Sequence, residues 1–301
     1  MPNLLIIVLF VLIYLIIGFY LTTRLIYPHT LSHEATLKIE KDAGKLAASE
    51  WDTLVKEEVW IDSPYGYKLY GLFIPFPGSH KTVILVHGIT YTLYGSVKYI
   101  PLFYQRGFNI LLFDERHHGR SGGKNCTFGY YEKYDLKAVT DWVFNRMGGA
   151  GTVGLHGESL GAAVALQSAG IDDRLSFVIA DCPYSDLKKL LTYRVGQEYH
   201  IPSILFIPLV DFICTNITGM SFNTVSPLRD VQTMSIPVLF IHGKDDRYIP
   251  PEMSQEMYHA KVNGVREIYL APGAKHAESF WKNRTEYNQV VGQFLSRLGM
   301  D

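Results

Sequence analysis

Gly157-Glu158-Ser159-Leu160-Gly161 stands between a short apolar run, GTVGLHG, and an Ala-rich stretch, LGAAVALQSAG. A serine hydroxyl is a weak nucleophile until a neighbouring base removes its proton, and a serine on a sharp strand-to-helix turn is lifted clear of the sheet, where a carbonyl can reach it. Small neighbours suit the strained, closely approached backbone of such a turn. The helix N-terminus behind it sets partial positive charge beside the oxyanion that attack creates. Ser159 is therefore the candidate nucleophile for acyl transfer.

In this arrangement an acid and then a histidine follow the serine along the chain. Of eleven histidines only His259 and His276 come after the late apolar run PVLFIHG. His259 sits in the helical stretch PEMSQEMYHAKVN and would project from a helix flank. His276 sits in APGAKHAES, a loop beyond the last apolar run, and is the expected general base. Asp245 and Asp246 both follow VLFIHGK, and Asp181 follows SFVIA, so three carboxylates compete for the histidine's other nitrogen. His87-Gly88-Ile89-Thr90 closes the run TVILV, so the Ile89 N–H can join the Leu160 N–H as an oxyanion hole.

Other chemistries lack their residues. Residues 149–154, GAGTVG, have the G-x-G-x-x-G spacing of a dinucleotide fingerprint, but they follow the helical DLKAVTDWVFNRM and precede a strand, the reverse of the required order. His117 and His118 are adjacent in the polar turn DERHHGRSG, where two neighbouring rings rarely reach one ion and no third ligand has metal-like spacing. Cys126, Cys182 and Cys214 are odd in number and form no CxxC, and they read as buried small hydrophobes. No cofactor and no metal are expected. With 28 Lys and Arg against 29 Asp and Glu, the net charge of -1 gives no ground for holding a phosphate backbone, so nucleic acid is not an expected partner.

The elements that must hold these residues are legible as eight short β-branched or aromatic runs: VWIDS, KLYGLFIPF, TVILVHG, NILLFDE, GTVGLHG, SFVIADC, PVLFIHG and REIYLAP. Helical stretches separate most of the later ones, which predicts an α/β fold with a mainly parallel sheet covered by helices on both faces. The first two, separated by a Pro-Tyr-Gly-Tyr turn, predict an antiparallel edge hairpin. Ser159, the three carboxylates, His276 and Ile89 all lie at or just beyond the end of a run, where open α/β sheets bind their ligands. About fifty residues between Asp186 and Thr233 interrupt the alternation where ~2 to 6 would connect two elements. This apolar, Pro-punctuated insertion (about 187–232) is expected to be a short helical lid whose IPSILFIPLVDFI segment, with Leu205 and Phe206, lines an acyl site.

Ahead of the body, Leu4 to Leu21 run LLIIVLFVLIYLIIGFYL without a charge. At ~1.5 Å per residue this makes ~27 Å of helix, close to the ~30 Å hydrocarbon core. No basic start and no A-x-A cleavage site accompany it, so it reads as a retained single-pass anchor in the cell membrane. Arg24, Lys38 and Lys41 follow it with no basic side chain before it, which points the body to the cytoplasm. The expected organisation is an anchor over 1–33, a linker helix over 34–58 and the catalytic domain over 59–301. A chain beginning near His33 is expected to be soluble and to keep activity on short esters.

Together VILVHGIT, LLFDERHHGRSGG, GLHGESLGAA, IHGKDDRYIP and the late His276 resemble the α/β-hydrolase superfamily, from about Val59 to the C-terminus. The D-x-R-x-x-G-x-S turn and the IHG-x-x-D-x-x-I-P loop look like its bacterial serine aminopeptidase-like branch, which includes esterases and membrane-anchored hydrolases. The resemblance implies Ser159 as nucleophile, His276 as base and Ile89 and Leu160 as oxyanion donors. The family's acid stands three residues after its glycine, which on Gly243 selects Asp246. The expected activity is hydrolysis of carboxylic esters, with acyl or lipid-like substrates, through an acyl-enzyme. A serine peptidase and a non-catalytic binding protein on the same scaffold are the alternatives.

Overall fold

The computed structural model describes residues 2–44, 48–149, 151–199 and 201–300. The eight runs become the eight strands of one sheet: β1 (Glu57–Asp62), β2 (Lys68–Ile74), β3 (Lys81–Val86), β4 (Asn109–Phe113), β5 (Thr152–Glu158), β6 (Phe177–Asp181), β7 (Val238–Gly243) and β8 (Arg266–Ala271). Their order is β1-β2-β4-β3-β5-β6-β7-β8. β1 pairs antiparallel with β2, as does β2 with β4, and every other pairing is parallel. Strand composition follows position. On edge strand β1 only Val59 and Ile61 turn inward while Trp60 faces out, whereas the central β4, β6 and β7 are buried at every residue and hence almost continuously apolar.

The helices are α1 (Pro2–Ile26), α2 (His33–Asp42), α3 (Ala48–Thr53), α4 (Ile100–Tyr104), α5 (Glu132–Arg146), α6 (Leu160–Ala169), α7 (Leu187–Tyr199), α8 (Ser203–Thr218), α9 (Pro227–Thr233), α10 (Glu252–Ala260), α11 (Ser279–Lys282) and α12 (Arg284–Arg297). Alternate residues of one strand feed two cores. Ile84 and Val86 pack on the face that carries α5, α6, α9 and α10, and Val83 and Leu85 pack on the face that carries α4 and α12. The 34–58 stretch, read as one linker helix, instead forms α2 and α3 with β1 already begun at Glu57; residues 45–47 lie outside the described residues. Ser32 caps α2 by accepting from the Ala35 N–H (3.1 Å).

α1 is long and apolar enough to cross a membrane. Residues 3–13 are exposed all round, and beyond them Tyr14, Ile17, Gly18, Leu21, Thr22, Leu25 and Ile26 turn to the body at i, i+3, i+4 spacing. The stripe rests on α8, where Gly18 lets the helices approach because a Cβ there would overlap the Leu209 side chain. The Tyr14 hydroxyl donates to the Leu205 carbonyl (2.7 Å). Further along, the Ile26 carbonyl accepts from Cys126 N–H (2.9 Å) and Leu31 N–H donates to the Thr90 carbonyl (2.8 Å).

These contacts argue against the expectation for a chain beginning near His33. Leu21 and Ile26 belong to the main core, and their loss would open holes beneath α8 and the loop after β3. Removing a buried Leu or Ile side chain costs about 2–5 kcal/mol. The truncated chain is therefore expected to be aggregated or to melt well below the full chain in detergent, as read by scanning fluorimetry and size exclusion. A monomeric, equally stable fragment would show these contacts to be dispensable.

Candidate active site

β5 ends at Glu158 and α6 begins at Leu160, and Ser159 makes the turn between them in one residue with φ 57° and ψ -116°. Such a conformation is strained for a side-chain-bearing residue and is tolerated where surrounding structure enforces it. Here Gly157 and Gly161 permit it: a Cβ on Gly161 would overlap the carbonyls of Val86 and His87, and one on Gly157 would overlap the α6 backbone. Ser159 is thus presented beyond the carboxyl edge of the sheet, with its own N–H donating to the Asp181 carbonyl on β6 (2.8 Å).

The loop after β8 brings His276 to it. His276 Nε2 accepts from the Ser159 hydroxyl (2.8 Å), and Nδ1–H donates to Asp246 Oδ2 (2.7 Å). Asp246 is buried in the turn after β7, and its other oxygen accepts from the N–H groups of Tyr248 (2.8 Å) and Ile249 (2.9 Å). Burial works to raise its pKa, but the hydrogen bonds from His242 and His276 outweigh it and hold the carboxyl well below its ordinary value. The other carboxylates lie elsewhere. Asp245 is exposed, and Asp181 is fully buried behind the elbow, where burial and the neighbouring Glu158 raise its pKa to about 7. His259 is exposed on α10.

His242 was not singled out in the sequence. Its Nε2–H donates to the Ile249 carbonyl (2.9 Å) and lies 3.2 Å from Asp246 Oδ2, while Nδ1 accepts from the Ser254 hydroxyl (2.7 Å). It braces the acid loop from below. Its place inside an apolar strand, four residues before Asp246, is the only trace it leaves in the sequence.

The N–H groups of Ile89 and Leu160 donate to no protein group among the described residues, as oxyanion donors require. The loop carrying Ile89 is pinned from two sides. His87 Nδ1–H donates to the Gly88 carbonyl (2.9 Å) while its Nε2 accepts from Glu115 N–H (3.0 Å), and His118 Nε2 accepts from Thr90 N–H (3.3 Å). Burial keeps both imidazoles neutral, His118 with its pKa pushed down to about 3. The paired histidines of the DERHHGRSG turn therefore include a loop support. Cys182, Asp246 and His276 hold potential ligand atoms within 4.8 Å of one another. Both His276 nitrogens are already engaged, and burial raises the Cys182 thiol pKa, which leaves a poor metal ligand.

Beneath the elbow lies a buried ion pair, Lys98 Nζ to Glu158 Oε2 at 2.7 Å, with the Tyr99 hydroxyl donating to the same carboxylate (2.5 Å). Taking one partner from a buried pair strands the other charge, at a cost of about 3–5 kcal/mol. Lys98→Met is expected to lose that much in urea unfolding, and a loss below about 1 kcal/mol would mean that solvent reaches Glu158.

Ser159 opens into a cavity of about 410 Å³, within the size range of small-molecule sites. Its walls include Ile89 and Leu160, Leu190 and Val195 of α7, and Ile207 and Val210 of α8. Leu205 and Phe206 are not among them, contrary to expectation. Leu205 is 55% exposed and Phe206 packs on Tyr14 with ring centroids 5.3 Å apart, because α8 gives one face to α1 and another, at Ile207 and Val210, to the cavity. The sequence reading also missed that α1 and the segment after it reach the cavity, through Leu21, Arg24, Leu25, Pro28 and His29.

A family model described as X-Pro dipeptidyl-peptidase (S15 family) matches residues 26–204, more than half the chain, including the elbow and the loop after β3. The chain belongs to the S15 family of α/β-hydrolases. This α/β-hydrolase is 37% identical over 284 residues to YqkD, an uncharacterized protein of Bacillus subtilis (strain 168), spanning 94% of this chain and 93% of that one. It is 23% identical over 266 residues to lysophosphatidylserine lipase ABHD12 of Macaca fascicularis, spanning 82% of this chain and 63% of the relative. Among solved structures, Pyrococcus furiosus esterase Pf2001 matches with a TM-score of 0.69 at 27% identity, covering 84% of this hydrolase and 96% of the esterase.

Proposed function

We propose that this protein is a membrane-tethered serine hydrolase that cleaves carboxylic esters. The observation that carries the reading is the continuous series from the Ser159 hydroxyl through His276 to Asp246, facing an apolar cavity. Ser159 Oγ attacks the ester carbonyl carbon as its proton passes to His276 Nε2, and the ionised Asp246 stabilises the imidazolium. The N–H groups of Ile89 and Leu160 receive the oxyanion. Collapse breaks the C–O bond, and the alcohol leaves with the proton from His276. Water then adds to the acyl-enzyme by the same route and releases the acid. The tether is α1, and Arg24, Lys38 and Lys41 favour a cytoplasmic body.

The S15 match and the esterase and lipase relatives allow both peptide and ester bonds. A peptidase that removes residues from an N-terminus must hold an ammonium group. Glu198 is the one acidic residue in the cavity wall among the described residues, and it is paired with Arg194. That favours the ester. The test is turnover of p-nitrophenyl esters of graded chain length against aminoacyl-nitroanilides. Preference is expected to climb with the first few carbons, each buried methylene contributing at most ~0.8 kcal/mol, and then to stop. Val210→Asp is expected to flatten that climb and spare acetate. Faster nitroanilide turnover would establish the peptidase, and turnover of neither the binding protein.

A further inference from the structure

We propose that α1 is part of the substrate site as well as a tether: Leu21 and Leu25 form one wall of the acyl pocket, and Arg24 receives the anionic headgroup of a single-chain amphiphile drawn from the bilayer. This rests on the ester-hydrolase reading and extends it to a substrate class. The first ground is depth. If Leu4–Leu21 take up the hydrocarbon core, Tyr14 lies ~10 Å and Gly18 ~5 Å inside its near boundary. Tyr14 is hydrogen-bonded to Leu205 and Gly18 sits against Leu209, so this part of α8 is carried to the same depth. The outward side of α8 suits that position, with Ile204 82% and Phe212 68% exposed. Apolar side chains this exposed on a helix fixed beside a membrane span mark a surface that meets lipid.

The second ground is the wall itself. The faces of α1 and α8 opposite that surface supply Leu21, Leu25, Ile207 and Val210 to the cavity that holds Ser159. An acyl chain seated against Leu21, Ile207 and Val210 stays beside the hydrocarbon it came from, with Leu25 towards its headgroup end and its ester carbonyl at the sheet edge. One turn beyond Leu21, at headgroup level, stands Arg24. Of the cavity's Arg and Glu residues, Arg194 and Glu198 neutralise each other, and Arg24 has no ion-pair partner among the described residues, which leaves one fixed positive charge. A negative headgroup complements it, and a neutral one does not.

The test uses the full chain in dodecylmaltoside micelles, with p-nitrophenyl acetate and laurate, and with palmitoyl lysophosphatidylglycerol against monopalmitoylglycerol. Leu21→Trp, which fills the wall, is expected to lower the laurate-to-acetate ratio of kcat/KM about tenfold or more. Leu21→Ala, which widens the wall and needs no extra room, should move the preferred chain length upward. Arg24→Glu should lower the ratio of lysophosphatidylglycerol to monopalmitoylglycerol turnover about tenfold. Tyr20→Trp, on the exposed face, should change none of these. Fluorophosphonate labelling of Ser159 and acetate turnover report the hydrolase reading separately. Labelled, acetate-active protein whose laurate-to-acetate ratio ignores both Leu21 changes overturns the role of α1 and leaves the hydrolase standing. Equal effects of Arg24→Glu on both lipids overturn the anionic headgroup. Loss of labelling and of all turnover in the unsubstituted protein overturns both readings.

Discussion

Ser159→Ala is expected to abolish fluorophosphonate labelling and to lower ester turnover by on the order of 10⁴- to 10⁶-fold, with the folded state intact. In the proposed mechanism hydroxyl, imidazole and carboxylate act as a unit, so removing the attacking atom would forfeit nearly all that the other two contribute. The fold should survive because alanine bears the same Cβ in the same strained backbone, and among the described residues the Ser159 side chain bonds only to His276. Among the described residues one other serine forms a similar array: Ser254 donates to His242, which lies against the same Asp246. It is fully buried on α10, where no carbonyl can approach, so Ser254→Ala should keep both labelling and turnover. Labelling that persists in folded Ser159→Ala and vanishes in Ser254→Ala would transfer the chemistry to the buried serine.

The strands and the placement of Ser159 and His276 at the strand ends were legible because both are written locally. All eight apolar runs named from the sequence are strands, since a sheet buried on both faces demands unbroken β-branched and aromatic segments. Ser159 and His276 could be singled out because an elbow and a post-strand loop impose recognisable neighbours. What was not legible depended on contacts between distant segments. Leu205 and Phe206 are as apolar as Ile207 and Val210, and composition cannot say which face of α8 looks into the cavity and which rests on α1. An uncharged helix likewise reads as a membrane span whether or not one end packs on the body. The stripe at Tyr14, Gly18, Leu21 and Leu25 shows no contrast when every neighbour is also apolar. His242 was hidden for the opposite reason: a polar residue inside a strand signals a buried partner without naming it.

The two adjacent carboxylates after β7 present the same difficulty and yield the sharper test. Asp246→Asn is expected to lower turnover by about 10⁴-fold, since an amide at this place neither holds His276 in the tautomer that accepts the serine proton nor stabilises the imidazolium. Asp245→Asn should stay within about twofold, because its side chain is in solvent and its loop is fixed by its backbone N–H, which donates to the Ala274 carbonyl (2.9 Å). A greater loss at Asp245 would put the wrong carboxylate at His276. The two changes should also part in acid unfolding. A carboxyl held below its unfolded pKa stabilises the native state fully above that value, ~3.9 for aspartate, and loses this contribution as pH falls through the depressed native value. The parent should therefore lose stability on acidification below about pH 5 partly through Asp246, and Asp246→Asn should start lower and fall less steeply, as followed by circular dichroism. Parallel acid-unfolding curves for parent and Asp246→Asn would mean that the carboxylate gains nothing from its bonds to His242, His276 and the loop N–H groups. Its claim to orient the histidine would then fail with them.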